Sequence, residues 1–413
     1  MRLKNGWTIG QFRLWRICFG SYLLFHFVSL LPWGAELFSS KGVLRLGAMS
    51  PLFHLFPNVF LLWDSPMFVQ CTLLAAAACS VLLVIGQFDH VAAILLWYVW
   101  ACLYGRNPLI GNPSLPFIGW LLLAYALIPS ARSNKDVSAD EESAGNWKMP
   151  ADLFAAAWIL MAVAYTYSGY AKLTSPSWVD GTALSHVLHN PLARDTQVRL
   201  WLLALPFWCL KVATWSALFL ELAFAPLALF RRVRPILWFA MVGMHLGLLV
   251  LVNFSDLTTG MLLLHFFTFD PAWIPSPKPA GQTIFYDGHC GLCHGFVKFV
   301  LNEDQSARPF RFAPLEGEQI KRTLSEEKRT ALPDSVLVID EHKNVLTQST
   351  AVIYILKRVG GLWSILATIL SMAPRAARDL AYDAVAIVRR ETFGTREEVC
   401  PMIPRQLRAR FLN

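Results

Sequence analysis

The sequence predicts an α-helical polytopic membrane bundle of six to eight spans, followed by a small α/β domain. Three observations predict it. Hydrophobic residues make up 55% of the 413 residues and charged residues only 15%, a balance far from that of soluble domains, and the apolar excess fills residues 12–270. Residues 271–281 (PAWIPSPKPAG) contain four prolines and cannot continue a helix, so they read as a stiff linker. Beyond them charge density becomes ordinary, and short apolar strands alternate with amphipathic helices. The expected organisation is a bundle at 1–270, the linker, and a domain at 282–413.

A span takes about twenty mostly apolar residues. Eight stretches approach that length, roughly 12–33, 67–86, 88–104, 114–130, 151–171, 209–230, 235–253 and 256–270. The third, fourth and eighth are short. The first reads as an uncleaved span and not as a signal peptide, because its apolar run is long and lacks a small-x-small cleavage site. Arg2, Lys4, Arg13 and Arg16 precede the first stretch, Arg132, Lys135 and Lys148 follow the fourth, and Arg231, Arg232 and Arg234 follow the sixth. Eight spans with a cytoplasmic N-terminus place all three clusters inside, as the loop-charge rule requires, and put the C-terminal domain in the cytoplasm. Losing one short span reverses that side. A bacterial inner membrane is the expected location. The net charge of +8 suits this rule and an anionic lipid surface; no basic stripe with interleaved aromatics points to nucleic acid. Arg16, His26, Glu221, His245 and His265 fall at membrane depth, where ionisable side chains usually face the bundle interior.

The last third reads as strand 282–287, helix 290–302, strand 310–315, helix 316–330, strands 335–340 and 344–349, and helix 350–359. That order is the order of a thioredoxin-like domain. Residues 361–372 (GLWSILATILSM) are apolar but too short to span, and read as a core helix before an interfacial one. At the first strand-to-helix junction stand Asp287, Cys290 and Cys293, in FYDGHCGLCHGF. Two residues between cysteines let the sulfurs close a small ring, and a helix N-terminus stabilises an attacking thiolate with its free amides and dipole. The thiol nearer the helix start is expected to be the more exposed and the better stabilised as thiolate. Asp287 reads either as a proton acceptor for the buried thiol or as a helix-entry residue. His289 and His294 join the cysteines as zinc-ligand types, but all four crowd within six residues, so no metal site is expected. The remaining cysteines in apolar segments, Cys18, Cys71, Cys79, Cys102 and Cys209, read as small hydrophobes.

Asp287, Cys290 and Cys293 form the Asp-x-x-Cys-x-x-Cys pattern for which the DCC family of thiol–disulfide oxidoreductases is named. Residues 282–413 resemble that family through this pattern, the strand SVLVID, the segment TQSTAVIYILKRVGG, and the tail from Cys400-Pro401 to Arg410-Phe411-Leu412. The resemblance implies a thioredoxin-like fold, with Cys290 as nucleophile and Cys293 as resolving thiol. Pro333 is the only nearby proline for the cis-proline position of a thioredoxin, and it lies two residues before its strand.

Residues 10–275 resemble the HTTM family, bacterial relatives of vitamin K-dependent gamma-carboxylase, through LWRICFG, SGYAKLTSPSWVDGTAL and MHLGLLVLVNFSDLTTGMLLLHF. Gly169, Lys172, Leu173, Trp178 and Gly181 match the carboxylase pattern, and Lys172 falls on the lysine that is the carboxylase's base. The residues alone also allow Lys172 to snorkel to the interface. The chain departs from the carboxylase at 106–114, which holds no histidine, and in lacking its long lumenal domain, so glutamate carboxylation is not expected.

Together these readings suggest a membrane-bound thiol–disulfide oxidoreductase acting on a protein or small-thiol partner. It is coupled in this reading to a lipid-soluble molecule such as a quinone, held near Lys172. Two alternatives remain at this level: a non-enzymatic lipid or peptide binder with a docking or redox-sensing domain, and an enzyme centred on Lys172.

Overall fold

The computed structural model describes residues 5–45, 47, 50, 52, 56–129, 147–304, 306, 308–394 and 405–412. Arg2, Lys4, Arg132, Lys135, most of the polar loop at 131–150, Cys400 and Pro401 lie outside them. The chain divides into two compact units. One comprises Leu14–Ser130 and Met149–Phe269; the other gathers Asp270–Asn413 with Asn5–Arg13, Trp147 and Lys148.

The first unit is mostly helical. Its principal helices are α1 (Ile9–Leu30, shared at its first turn with the second unit), α2 (Pro66–Ile85), α3 (Asp89–Arg106), α4 (Leu115–Leu127), α5 (Ala151–Lys172), α6 (Gln197–Leu203), α7 (Phe207–Leu222), α8 (Arg234–Leu251) and α9 (Ser255–Thr268). Local chemistry sets the ends of α2. The Ser65 hydroxyl accepts from the Phe68 amide, Pro66 occupies the first turn, and Gly86 takes φ +74° at the C-terminus, a conformation that glycine adopts without steric cost.

Among the described residues α2, α5 and α8 are long and apolar enough to cross a membrane, and the pair α6–α7, bent by 110°, adds a fourth span if counted as one. The other apolar stretches that suggested six to eight spans do not meet that length and composition among the described residues. Residues 114–130 and 256–270 yield helices of only 13 and 14 residues. α1 carries Arg13 and Arg16, and α3 begins at Asp89 and ends at Arg106. Only 33%, 28% and 28% of the residues in the apolar windows of α2, α5 and α8 are buried. Leu74, Val81, Ile159, Val163 and Ile236 point outward, an apolar surface that suits hydrocarbon and not water.

The second unit holds a four-stranded sheet in the order β2-β1-β3-β4. β1 (Thr283–Tyr286) leads through α10 (Gly291–Glu303) to β2 (Arg311–Pro314), which pairs parallel to it. Two short helices, α11 (Glu318–Thr323) and α12 (Glu326–Thr330), lead to β3 (Leu337–Ile339). β3 pairs antiparallel to β1 and to β4 (Val345–Thr347). α13 (Gln348–Val359), α14 (Leu362–Met372) and α15 (Arg375–Phe393) complete the unit. The single helix expected over 316–330 is broken because Leu324 is extended and Ser325 opens a new first turn with Glu326 and Glu327. α15 was not anticipated by the strand and helix reading.

β1 alternates its side chains between two cores, as pleating requires. Ile284 and Tyr286 face Val297, Val300 and Ile355; Phe285 faces Ile320, Leu324 and Leu337. α14 is not the wholly buried helix expected. Ala367 packs against Ile353 and Leu356, while Ile369 and Met372 on its other side are exposed. The tail motif has a structural part: Arg410 donates to the Phe310 carbonyl and to Asp304, and Phe411 stacks on Phe312 at 5.2 Å.

Glu303, at the end of α10, is buried and accepts hydrogen bonds from the Thr8 hydroxyl, the Gly10 amide and the Trp363 indole. Burial nonetheless holds its carboxyl above the ordinary value of 4.5. The folded chain then keeps a proton that the unfolded chain releases, so this contribution to stability is fullest below about pH 4.5 and falls as pH rises through the folded value. Glu303→Gln is expected to flatten that fall. Urea denaturation of wild type and variant from pH 4 upward measures it, and parallel pH curves would reject it.

Candidate functional site

The thiol site grows from the end of β1. After Tyr286 the Asp287 Oδ1 accepts from the His289 amide at 2.9 Å, an Asx turn that aims the chain into α10. The His294 ring is buried and hydrogen-bonds through Nε2 to the Gly288 carbonyl at 2.6 Å, which staples the turn to the first helical turn. His289 pairs at 3.7 Å with Glu316. Among the described residues no group of three or more His, Cys, Asp or Glu is placed to hold a metal. The peptide bonds of the described residues, that before Pro333 included, are trans.

Cys290 is the N-cap residue of α10 and Cys293 lies in its first turn; both are free thiols. The expected order of exposure is reversed. Cys290 is 0% exposed, and Cys293 is half-buried. Where α15 ends, the Gly394 carbonyl accepts from the Gly291 amide at 3.1 Å, so the first free amide of the helix is already engaged. Cys293 borders an apolar cavity of about 180 Å³ between α10, β3, α13 and α15, lined by Phe296, Val336, Val352, Tyr382 and Val385. Its thiol is pushed up to about 12 by burial, then by the hydrogen bond it gives Cys290 and the charge on that sulfur, with Arg389 pulling the other way. Cys293 therefore carries its proton at neutral pH and directs it at Cys290.

Arg389 is the functional-site residue that sequence reasoning missed. Buried at 3% exposure, its Nη1 lies 4.0 Å from the Cys293 Sγ, and its Nη2 donates to Asp287 Oδ2 at 3.3 Å and to Asp334 Oδ2 at 2.7 Å. Asp287 thus serves helix entry with one oxygen and Arg389 with the other. The signal available in the sequence was the amphipathic run RAARDLAYDAVAIVRR, whose arginine pair follows an apolar face.

The end of α15 meets the start of α10 beside the thiols, and Tyr382 anchors α15: the Tyr382 hydroxyl accepts from the Val336 amide at 3.0 Å. Reagents reach a closed group through local opening, whose frequency follows its free energy. Tyr382→Ala removes a ring and a hydrogen bond from the closed form. It is expected to speed iodoacetamide labelling of Cys290 by about tenfold or more, the factor that corresponds to about 1.4 kcal/mol. Unchanged labelling, read by peptide mass spectrometry, would show that α15 does not limit access.

In the first unit, Lys172 ends α5 and is paired with Glu221 of α7, whose side chain is 6% exposed against 23% for the lysine. It also reaches the Ser168 hydroxyl at 3.3 Å and lies 4.6 Å over the Trp178 ring. Gly169 makes the pairing possible: a Cβ there would stand 2.7 Å from the Leu222 backbone nitrogen, so only glycine lets the helices approach this closely. Nearby, the Tyr165 hydroxyl bridges His245 and His265 at 2.7 and 3.4 Å. Lys172 is not among the residues lining the roomiest bundle cavity described, about 700 Å³ bordered by Tyr22, His26, Trp100, Asn112, Phe254 and Asp256. There Asp256 gathers His26 Nδ1 at 2.9 Å, the Tyr22 hydroxyl at 2.9 Å and the Asn112 amide at 2.7 Å.

Comparison with known proteins locates its signal in the second unit. Residues 284–395 match the DCC1-like thiol–disulfide oxidoreductase family. A chloroplastic DCC family protein of Arabidopsis thaliana is 35% identical over 119 residues, which are 29% of this chain and 68% of that protein. The uncharacterized protein YuxK of Bacillus subtilis is 30% identical over 141 residues, 33% of this chain and 98% of its own length. No solved structure matches.

Proposed function

Because this chain belongs, through its C-terminal unit, to the DCC family of thiol–disulfide oxidoreductases, we propose that it is a membrane-bound oxidoreductase whose working dithiol is Cys290–Cys293. The observation that carries the reading is the pair's position. It opens α10 directly after β1, in a sheet ordered β2-β1-β3-β4 with β1 and β2 parallel, the arrangement of a thioredoxin-like domain. The end of α15 withdraws from Gly291, and the Cys290 thiolate attacks a partner disulfide. One new S–S bond forms, and the partner's second sulfur leaves as a thiolate. Cys293 then loses its proton and attacks the Cys290 sulfur, forming the internal disulfide and freeing the partner's first sulfur. Run in reverse, the same steps oxidise a dithiol. The partner is a protein or small-molecule thiol or disulfide.

For the helical unit we propose an HTTM-like bundle in a bacterial inner membrane, with the thiols on the cytoplasmic side and a lipid-soluble partner such as a quinone inside. The cavity at His26 and Asp256 supports a quinone better than the surroundings of Lys172. Its walls are mainly apolar and aromatic, and its few polar groups converge at one side, as small-molecule sites require. The net reaction moves two electrons and two protons: dithiol plus quinone gives disulfide plus quinol. Anaerobic mixing of the reduced, detergent-solubilised chain with a water-soluble ubiquinone analogue tests it. Loss of quinone absorbance in step with Cys290–Cys293 disulfide formation is the expected result. Exchange with glutathione disulfide but none with quinone would retain the oxidoreductase and remove the quinone.

A further inference from the structure

Exchange through a dithiol needs the second cysteine to change character partway through the reaction. While both sulfurs are reduced, Cys293 holds its proton between burial and the hydrogen bond to Cys290. Once Cys290 is tied into a mixed disulfide its sulfur is neutral and has lost the negative charge that favoured the Cys293 proton. Among the described residues, the charged and titratable groups left around Cys293 are then Arg389 and Tyr382 of α15, Asp287 of the turn before α10, and Asp334 ahead of β3. Two of them are acids, and both are bound by the Arg389 guanidinium, which also touches the sulfur.

We infer that Arg389 is the residue that releases Cys293 as the resolving nucleophile, by placing its cation 4.0 Å from the Cys293 sulfur and by neutralising Asp287 and Asp334 beside it. The step balances. The Cys293 proton passes to solvent and the Cys293 thiolate attacks the Cys290 sulfur. The Cys290–Cys293 bond forms as the Cys290–partner bond breaks, and the partner leaves with the electron pair and takes up a proton. Arg389 carries no proton in this cycle. It acts mainly in the second half of the reaction, because it touches the Cys293 sulfur while the Cys290 sulfur feels its charge less. The position suits the role because a buried, doubly paired guanidinium cannot turn away from the sulfur. A unit charge at such a distance in partly buried surroundings is worth far more than in water.

The inference rests on the exchange reading above, and the experiment separates their failures. The full-length chain in detergent, reduced and freed of reductant, is mixed with an aromatic disulfide whose thiolate product absorbs visible light. The Cys290→Ser/Cys293→Ser double variant gives the background from the other cysteines. Wild type is expected to release two equivalents above that background, the first from attack by Cys290 and the second from resolution by Cys293. Arg389→Gln is expected to slow the second release about tenfold to a hundredfold, far more than the first, with the pH profile of the second moved upward by about one to two units. Arg389→Lys keeps the charge and is expected to restore most of the second rate and its pH profile. Equal slowing of both phases in Arg389→Gln, or unaltered resolution, would overturn the role of Arg389. Should Arg389→Gln fail to fold, an unshifted second-phase profile in Arg389→Lys still supports the charge, and loss of that phase in the folded Lys variant refutes it. Wild type releasing no second equivalent would overturn the exchange reading itself, and this inference with it.

Discussion

Cys290→Ser is expected to abolish disulfide exchange, while Cys293→Ser stops it halfway. The asymmetry follows from roles that the two sulfurs cannot trade. Cys290 accepts the hydrogen bond that Cys293 gives, and burial holds the proton on Cys293. With serine at 290 there is no thiolate to begin, and Cys293 alone keeps its proton; turnover of glutathione disulfide should fall by about a thousandfold or more. With serine at 293 the first attack proceeds, and the chain accumulates with one glutathione attached at Cys290. Intact-mass and peptide spectra read both results. Substantial turnover in Cys290→Ser would remove the oxidoreductase reading; a free Cys290 in Cys293→Ser after exposure to glutathione disulfide would remove its assignment as the attacking thiol.

The second large effect concerns Lys172. Its pairing with Glu221, its contact with Ser168 and its place over Trp178 describe a lysine built into helix packing. Lys172→Met should leave the Glu221 carboxylate without its partner inside the bundle, a loss of about 3–5 kcal/mol for a broken buried pair. Lys172→Met/Glu221→Leu replaces the whole pair with apolar groups and is expected to return stability to within about 1–2 kcal/mol of wild type. Thermal unfolding in detergent measures both. Disulfide exchange should survive in the double variant, since the thiol chemistry draws on neither residue. A single variant as stable as wild type would show that the pair contributes nothing, and exchange lost only with Lys172 would favour an enzyme centred on that lysine.

Much of the architecture was legible because it is local. β1 alternates its faces, α10 starts three residues after an Asp-Gly turn, and the prolines at 271–281 stop a helix wherever they occur. Elements were lost where local signals competed. Residues 361–372 are apolar on nearly every side, so composition could not say that α14 would bury Ala367 and leave Ile369 and Met372 exposed. Helix length was illegible for a related reason: an apolar stretch has the same composition whether it forms the 20 residues of α2 or the 13 of α4, and only the folded chain shows where each helix ends.

By itself the sequence determined that one chain joins apolar helices to an α/β domain and that Cys290 and Cys293 open a helix after a strand. Asp287 was also placed at the turn between them, because spacing along a helix or strand fixes which neighbouring residues share a face. The tertiary structure decided which distant groups meet them. Arg389 stands 96 residues from Cys293, Glu221 is 49 from Lys172, and Asp256 is 230 from His26. No periodicity encodes such partners; they are chosen when helices pack and buried charges must find counter-charges. The same packing reversed the expected exposure of the two thiols, which no local pattern encodes.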